Sequence, residues 1–444
     1  MNVVLAKNQT RSETQRVVSD IFTSVRDRLP GAGKIAEARQ RAFEAFERVG
    51  LPHRRLEDWK YTDLRALMRE VQPLAAAPDA SALKRGEAAL KVVSTVDACR
   101  LVLVDGVFAP SFSHVAKLEA GVRVQTLREI LEDGSAAKAD LLENGAVSGA
   151  MIALNAALAT DGVVITVADG AVLTKPLHIV HVATRSSAAS YTRSFLKLGK
   201  AAQAMLLESF VAADGARSYQ VNDAVTVSVG DNAQLQHVRL MADARDATNI
   251  TTAIFTLGAN ARLATFNMTS GGGLSRYQGY LTFAGEGSEV IANGANLLNG
   301  RQHADTTLFL DHAVPHCTSR EVFRSVVDDR AHSVFQGRII VQPKAQKTDA
   351  KMMTRALLLS DEAEADNKPE LEIFADDVTC GHGATTGALD ESLLFYLRAR
   401  GLSEKEAQSL LIQAFVGEAI ESIASDELRE LAIGTAQRWL AARG

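Results

Sequence analysis

The chain has 444 residues, with 48 lysines and arginines against 53 aspartates and glutamates, a net charge of −5, and 47% hydrophobic residues. That balance gives no electrostatic footing for nucleic acid or an anionic membrane. Aromatic residues, at 5%, are too scarce for a sugar- or base-stacking groove.

The length allows roughly three units of about 150 residues each, or one elongated β domain. Cys99, Cys317 and Cys380 are odd in number and far apart, so no disulfide framework is expected and a reducing compartment fits. Met1 to Arg26 carries charges throughout and lacks an apolar run before a cleavage site, so no signal peptide is expected. No run reaches the roughly 20 apolar residues of a membrane span. The expected location is cytoplasmic.

Residues 10–75 read as helical. Val18, Ile21, Val25 and Leu29 recur at three- and four-residue steps until Pro30-Gly31. A second helix from Lys34 places Ile35, Ala38, Ala42, Phe46 and Val49 on one face, with Gly50 as its cap. Residues 52–65 form a polar segment. Asp105-Gly106 between two apolar runs signals a hairpin, and helical spacing returns over 126–160.

Residues 162–342 lose the helical period. An apolar residue, a glycine, two variable residues and a small residue recur at Gly199/Ala202, Gly230/Ala233, Gly258/Ala261 and Gly285/Ser288. Short strands at that spacing suggest a solenoid, with a parallel β-helix as its all-β form. Each coil would turn at a glycine, with the small residue where coils stack. An antiparallel β-sandwich is the alternative. From Asp390 helices return: one ending at Gly401, one opened by a Ser403/Glu406 capping box, and one opened by Ser425-Asp426. The expected division is a helical region 1–90, a mixed α/β connection 91–160, a β-helix core 161–389 and a helical region 390–444. Helices are expected to cap both ends of the β region.

Several motifs invite chemistry. Gly31–Lys34 reads GAGK, but Ile35 follows where a phosphate-binding loop needs Ser or Thr, so a simple turn is expected. In DHAVPHC, residues 311–317, Pro315 lies between His312 and His316 and no Glu follows His312, so the zinc-protease arrangement fails. Polar residues at a turn between coils fit better. Asp328 and Asp329 could suggest acid–base work on sugars. As strand neighbours they would face opposite ways, which favours a turn or salt-bridge role.

The sharpest local signal is DDVTCGHGATTG, residues 376–387. Cys380 and His382 are two apart and would project to one side of an extended strand, where both could touch one ion. Thiolate and imidazole suit iron and iron–sulfur clusters, but two ligands do not close a site that commonly takes four. Gly381 and Gly383 would allow close approach around His382. A packed cysteine beside a structural histidine is the other reading of the spacing. Upstream, residues 361–377 hold eight acids and one lysine, a run usually seen on a solvated face.

Three stretches together resemble the SufD family, scaffold subunits of the sulfur-mobilisation machinery that assembles iron–sulfur clusters. They are EDWKYTDLR at 57–65, DHAVPHCTSREVFRSVVDDRAHSVFQGRI at 311–339 followed by AQKTDA at 345–350, and KPELEIFADDVTCGHGATTGALDE at 368–391 followed by LFYLRARGL at 394–402. The resemblance implies a right-handed parallel β-helix core flanked by N-terminal and C-terminal helical segments. It implies a non-catalytic subunit that pairs with SufB through the β-helix and binds the ATPase SufC through its C-terminal helices. It places a transient cluster at the SufB–SufD interface, with His382 as the family histidine and Cys380 as its neighbouring cysteine. A reduced flavin is linked to the family complex, but the chain shows no flavin motif. A homodimer without SufB is a further expectation. A β-helix polysaccharide lyase or hydrolase and a purely structural interaction scaffold are the alternatives.

Overall fold

The computed structural model describes residues 13–145 and 147–443. Residues 1–12, which open both the stretch read as free of a signal peptide and the first helical region, lie outside the described residues, as do Ala146 and Gly444.

The core is a parallel β-helix built from two facing sheets. One sheet stacks Cys99–Val104, Leu177–Ala183, Gln203–Ala212, Gln234–Ala242, Arg262–Thr269, Glu289–Leu298, Thr318–Val327, Asp349–Leu358 and Thr379–Gly387. The other stacks Val163–Val167, Ala189–Leu198, Gln220–Val229, Thr248–Leu257, Leu274–Phe283, His303–His312, His332–Val341 and Glu364–Ile373. Alternate side chains of every strand point between the sheets. Ala253, Phe255 and Leu257 stack there on Val225, Val227 and Val229 of the preceding coil. Each such Val, Leu or Phe contributes about 1.5–3 kcal/mol on burial.

The glycine repeat marks one corner of the solenoid. A Cβ on Gly230 would come within 2.8 Å of the Gly199 backbone, and one on Gly285 would overlap the Ala259 backbone. Two residues further on, Ala201, Asn232 and Asn260 adopt positive φ angles of 55°, 58° and 52°. Their N–H groups donate to the next coil, for example Asn232 N to the Ala259 carbonyl at 2.8 Å. The small residues Ala202, Ala233, Ala261 and Ser288 are buried at that corner. His316, with φ of 61°, takes the left-handed position in a later coil, and buried Cys317 fills the small slot.

The hairpin forms as expected: Cys99–Val104 pairs antiparallel with Val107–Phe108, and Asp105 and Gly106 both have positive φ. GAGK is a turn ahead of the helix Lys34–Val49, and Gly50 ends that helix at a φ of 69°. The buried face of this helix is Ile35, Ala38, Phe43 and Phe46. Val49, placed on that face by periodicity, is 42% exposed because it sits in the last turn, beyond the contact.

The helices lie on the flanks of the solenoid rather than over both of its ends. Ala150–Leu158 packs on the strands Ala189–Leu198 and Gln220–Val229, and Lys34–Val49 packs on Ala150–Leu158. Glu404–Ile420 and Asp426–Ala442 cover the outer face of the other sheet through Ile412, Val416, Leu428 and Trp439 against Leu240, Phe266, Leu297 and Val326. The expectation of a helical cap at the C-terminal end is therefore corrected. Among the described residues, the final strands Glu364–Ile373 and Thr379–Gly387 each have only one neighbour within their own sheet, and their residues are mostly half-buried or exposed.

Candidate functional site

Cys380 and His382 lie on this open last coil. Cys380 pairs in register with Ala350 and His382 with Met352. The two residues share one side of the strand, as their spacing predicted, and since Ala350 and Met352 belong to the main core, that side faces the mouth of the solenoid. Cys380 is half-buried against that core, whereas His382 is exposed because no further coil covers it. Burial pushes the Cys380 thiol above its usual range, more than a hydrogen bond from the Ala350 backbone lowers it. Among the described residues, no third potential metal ligand gathers with the pair.

Gly381 and Gly383 face the opposite way, with Lys351 and Met353. The space around a Cβ on Gly381 is open, while one on Gly383 would meet the methyl of Met353 at 2.7 Å. The glycines therefore bare the outer face of the strand, which is not the face that carries His382.

The polar segment 57–65 is fastened to this end of the solenoid. Trp59 stacks on the Arg276 guanidinium at 3.8 Å. Arg276 donates to the Asp58 carbonyl at 2.5 Å and pairs with Asp305, both of its salt-bridge side chains being fully buried. Arg338 reaches Asp58 at 3.5 Å and Glu370 at 3.2 Å, and Lys368 pairs with Glu57. Much of the acidic row on the strand Glu364–Ile373 is thus paired rather than merely solvated: His332 meets Asp366 at 2.8 Å and Arg338 meets Glu372 at 3.4 Å. Segments separated by about 300 residues converge beside the mouth.

The remaining motifs have structural roles. His312 is buried at the end of its strand, stacked on Phe283 at 4.3 Å and bonded to Ser319 at 3.1 Å. Burial lowers its pKa to about 4. The reading of His312 as a turn residue is corrected, while His316 is one. Asp328 pairs with Arg443. Asp329 sits in the turn at a φ of 55° and accepts from Gly300 N at 2.9 Å. Neither aspartate faces the other across a cleft, as paired catalytic carboxylates on a sugar would.

Residue patterns did not single out a polar cluster inside the solenoid, formed by His181, Glu208, Asp223, His237 and Arg239, all buried. A signal was present. His237 and Arg239 share the inward parity of Leu235 within one strand, where an apolar core would put apolar side chains.

A profile of the SUF system iron–sulfur cluster assembly SufBD core domain matches residues 181–415, and one of the SufBD protein N-terminal region matches residues 14–179. The iron–sulfur cluster assembly protein SufD of Escherichia coli (strain K12) is 32% identical over 396 residues, covering 88% of this chain and 90% of that protein. An iron–sulfur cluster assembly SufBD family protein of Synechocystis is 30% identical over 408 residues, covering 88% and 87%. Protein ABCI7, chloroplastic, of Arabidopsis thaliana is 26% identical over 396 residues, covering 86% and 81%.

Proposed function

The chain belongs to the SufBD family of iron–sulfur cluster assembly proteins, and from that premise we propose that it is a non-catalytic scaffold whose last coil forms half of a cluster-assembly site. The other half comes from SufB, paired against the open end of the β-helix, and SufC binds the C-terminal helices and hydrolyses ATP. Residues 161–389 then serve pairing and cluster handling, and residues 390–444 serve SufC. The nascent cluster is cargo, held transiently and passed on.

The observation that carries this reading is the incompleteness of the last coil. Two sheets end in unpaired edges beside an exposed histidine and a half-buried cysteine. Unpaired edges favour pairing with another chain. Two ligands become a closed site when a second chain supplies the rest. The helix Glu391–Ala399 adds a second docking surface, with Leu393, Phe395 and Tyr396 at 50%, 75% and 53% exposure. A groove lined by Leu389, Leu393, Leu411 and Phe415 runs beside them. Apolar patches of this kind mark partner surfaces.

Anaerobic co-purification with SufB and SufC, followed by iron and sulfide analysis, tests the reading. A stoichiometric complex carrying both elements supports it. A complex that forms but never holds iron and sulfide under assembling conditions leaves only a structural scaffold.

A further inference from the structure

The solenoid interior holds a second group of potential metal ligands, far in the chain from Cys380. His181 and Glu208 come from successive coils of one sheet and Asp223 from the facing sheet. One ligand atom from each lies within 4.8 Å of the others. The His181 Nε2, Glu208 Oε1 and Asp223 Oδ2 atoms are buried and have no hydrogen-bond partner among the described residues. Their side chains are 8%, 1% and 1% exposed. Buried polar atoms are rarely left without partners, because the lost hydration is then not repaid.

The surrounding hydrogen bonds fix which atoms remain free. Thr192 Oγ1 donates to Asp223 Oδ1 at 2.6 Å. It then accepts from His181 Nδ1 at 3.5 Å, so Nε2 is the ring nitrogen left over for a ligand. Nε2 stands 3.9 Å from Asp223 Oδ1, too far for a hydrogen bond. On the other side, His237 Nε2 donates to Glu208 Oε2 at 2.6 Å while its Nδ1 meets Thr265 at 2.9 Å. A ligating carboxylate held by an outer histidine is a common way to orient a metal ligand.

Charge points the same way. Among the described residues, no lysine or arginine nitrogen comes within 4.0 Å of Glu208 or Asp223. The guanidinium of Arg239 bonds instead to Asn267 at 2.9 Å, Asn249 at 3.0 Å and Thr251 at 2.8 Å. It also lies over the Phe210 ring. Asp243, nearby, takes hydrogen bonds from Tyr219 and Asn249. Three buried carboxylates thus lie near Arg239, with Arg193 also acting on Asp223. A cavity of about 20 Å³, lined by His181, Phe210, Tyr219 and Asp243, adjoins the group and is large enough for about one water.

We propose that His181, Glu208 and Asp223 bind one divalent first-row transition ion of the zinc type inside the β-helix, with a water from the adjoining cavity as fourth ligand. One imidazole nitrogen and two carboxylate oxygens suit zinc or ferrous iron better than calcium or magnesium. Tetrahedral ligands about 2.1 Å from such an ion stand about 3.4 Å apart, so the three side chains close in by about 1 Å on binding. The ion ties the two sheets together at the N-terminal half of the solenoid and is separate from the cluster cargo.

The test uses the full chain carrying Cys380→Ser and His382→Ala, which removes the thiolate and imidazole of the open coil. The chain is stripped with chelator and titrated with zinc, then with ferrous iron under anaerobic conditions. The expected result is one equivalent retained through gel filtration, a raised Tm, and an X-ray absorption spectrum with nitrogen and oxygen neighbours only. Adding Glu208→Gln and Asp223→Asn should weaken binding at least 100-fold while the far-ultraviolet circular dichroism is kept. If that pair fails to fold, His181→Gln alone should weaken binding at least 10-fold. No retained metal, sulfur neighbours in the spectrum, or unchanged binding in folded variants overturns the site.

Discussion

His382 and Glu321 occupy one inward-facing column of the solenoid, with Met352 alone between them. Strand spacing puts their backbones about 10 Å apart. Both Glu321 oxygens are buried without a hydrogen-bond partner, and burial raises its pKa to about 8. A neutral carboxyl therefore sits one layer beneath the residue that supports the candidate site.

The titration of Glu321 has a sign that can be measured. Between about pH 4.5 and pH 8 the unfolded chain releases this proton while the folded chain keeps it. The stability contribution is thus full below about pH 4.5 and is lost as pH rises through about 8. Glu321→Gln should flatten that dependence and stabilise the protein at pH 8.5 by roughly 2–4 kcal/mol. Urea unfolding of both proteins across this range checks it. Equal pH slopes would mean that Glu321 is ionised in the fold.

Trp59 anchors the segment 57–65 to the solenoid through Arg276. Trp59→Ala should cost roughly 3–5 kcal/mol. It should also open the N-terminal helices to protease before the β-helix. Chemical denaturation with timed proteolysis checks both, and cleavage that begins instead in the β-helix would contradict the anchoring role.

The corner glycines make a contrast within one experiment. Gly285→Ala drives a Cβ into the Ala259 backbone, whereas the same change at Gly381 meets open space. The first should lower stability by roughly 2 kcal/mol or more and the second by less than about 0.5 kcal/mol. Thermal unfolding of the two variants decides it.

These glycines also show what a sequence can and cannot disclose. The repeat at Gly199, Gly230, Gly258 and Gly285 is visible because the corner excludes a Cβ. It fades in the later coils, where Val314 and Ala345 stand in the place of the glycine, two residues before the left-handed His316 and Lys347. That Cys380 and His382 share one face follows from the strand period alone, while the inward direction of that face comes from their register with Ala350 and Met352. The open C-terminal end does not, since Glu404–Ile420 follows the last strand in the chain yet packs on the flank. Nor does the interior cluster, because His181, Glu208 and Asp223 lie in three different strands whose register a linear pattern does not reveal.

Phe395 is 75% exposed on the helix proposed to meet SufC. Phe395→Asp should leave Tm within about 2 °C and weaken SufC binding at least tenfold, the effect of losing an aromatic anchor worth more than about 1.4 kcal/mol. Titration calorimetry with purified SufC measures it. Unchanged affinity would move the SufC surface elsewhere.

The most direct measurement is cluster yield on the reconstituted complex of this chain carrying His382→Ala with SufB and SufC. The side chain is exposed on the last coil, so the complex should assemble as before. The account predicts that iron and sulfide incorporation then falls at least tenfold. An intact complex that builds clusters at the original yield would contradict the assignment of His382 to the assembly site.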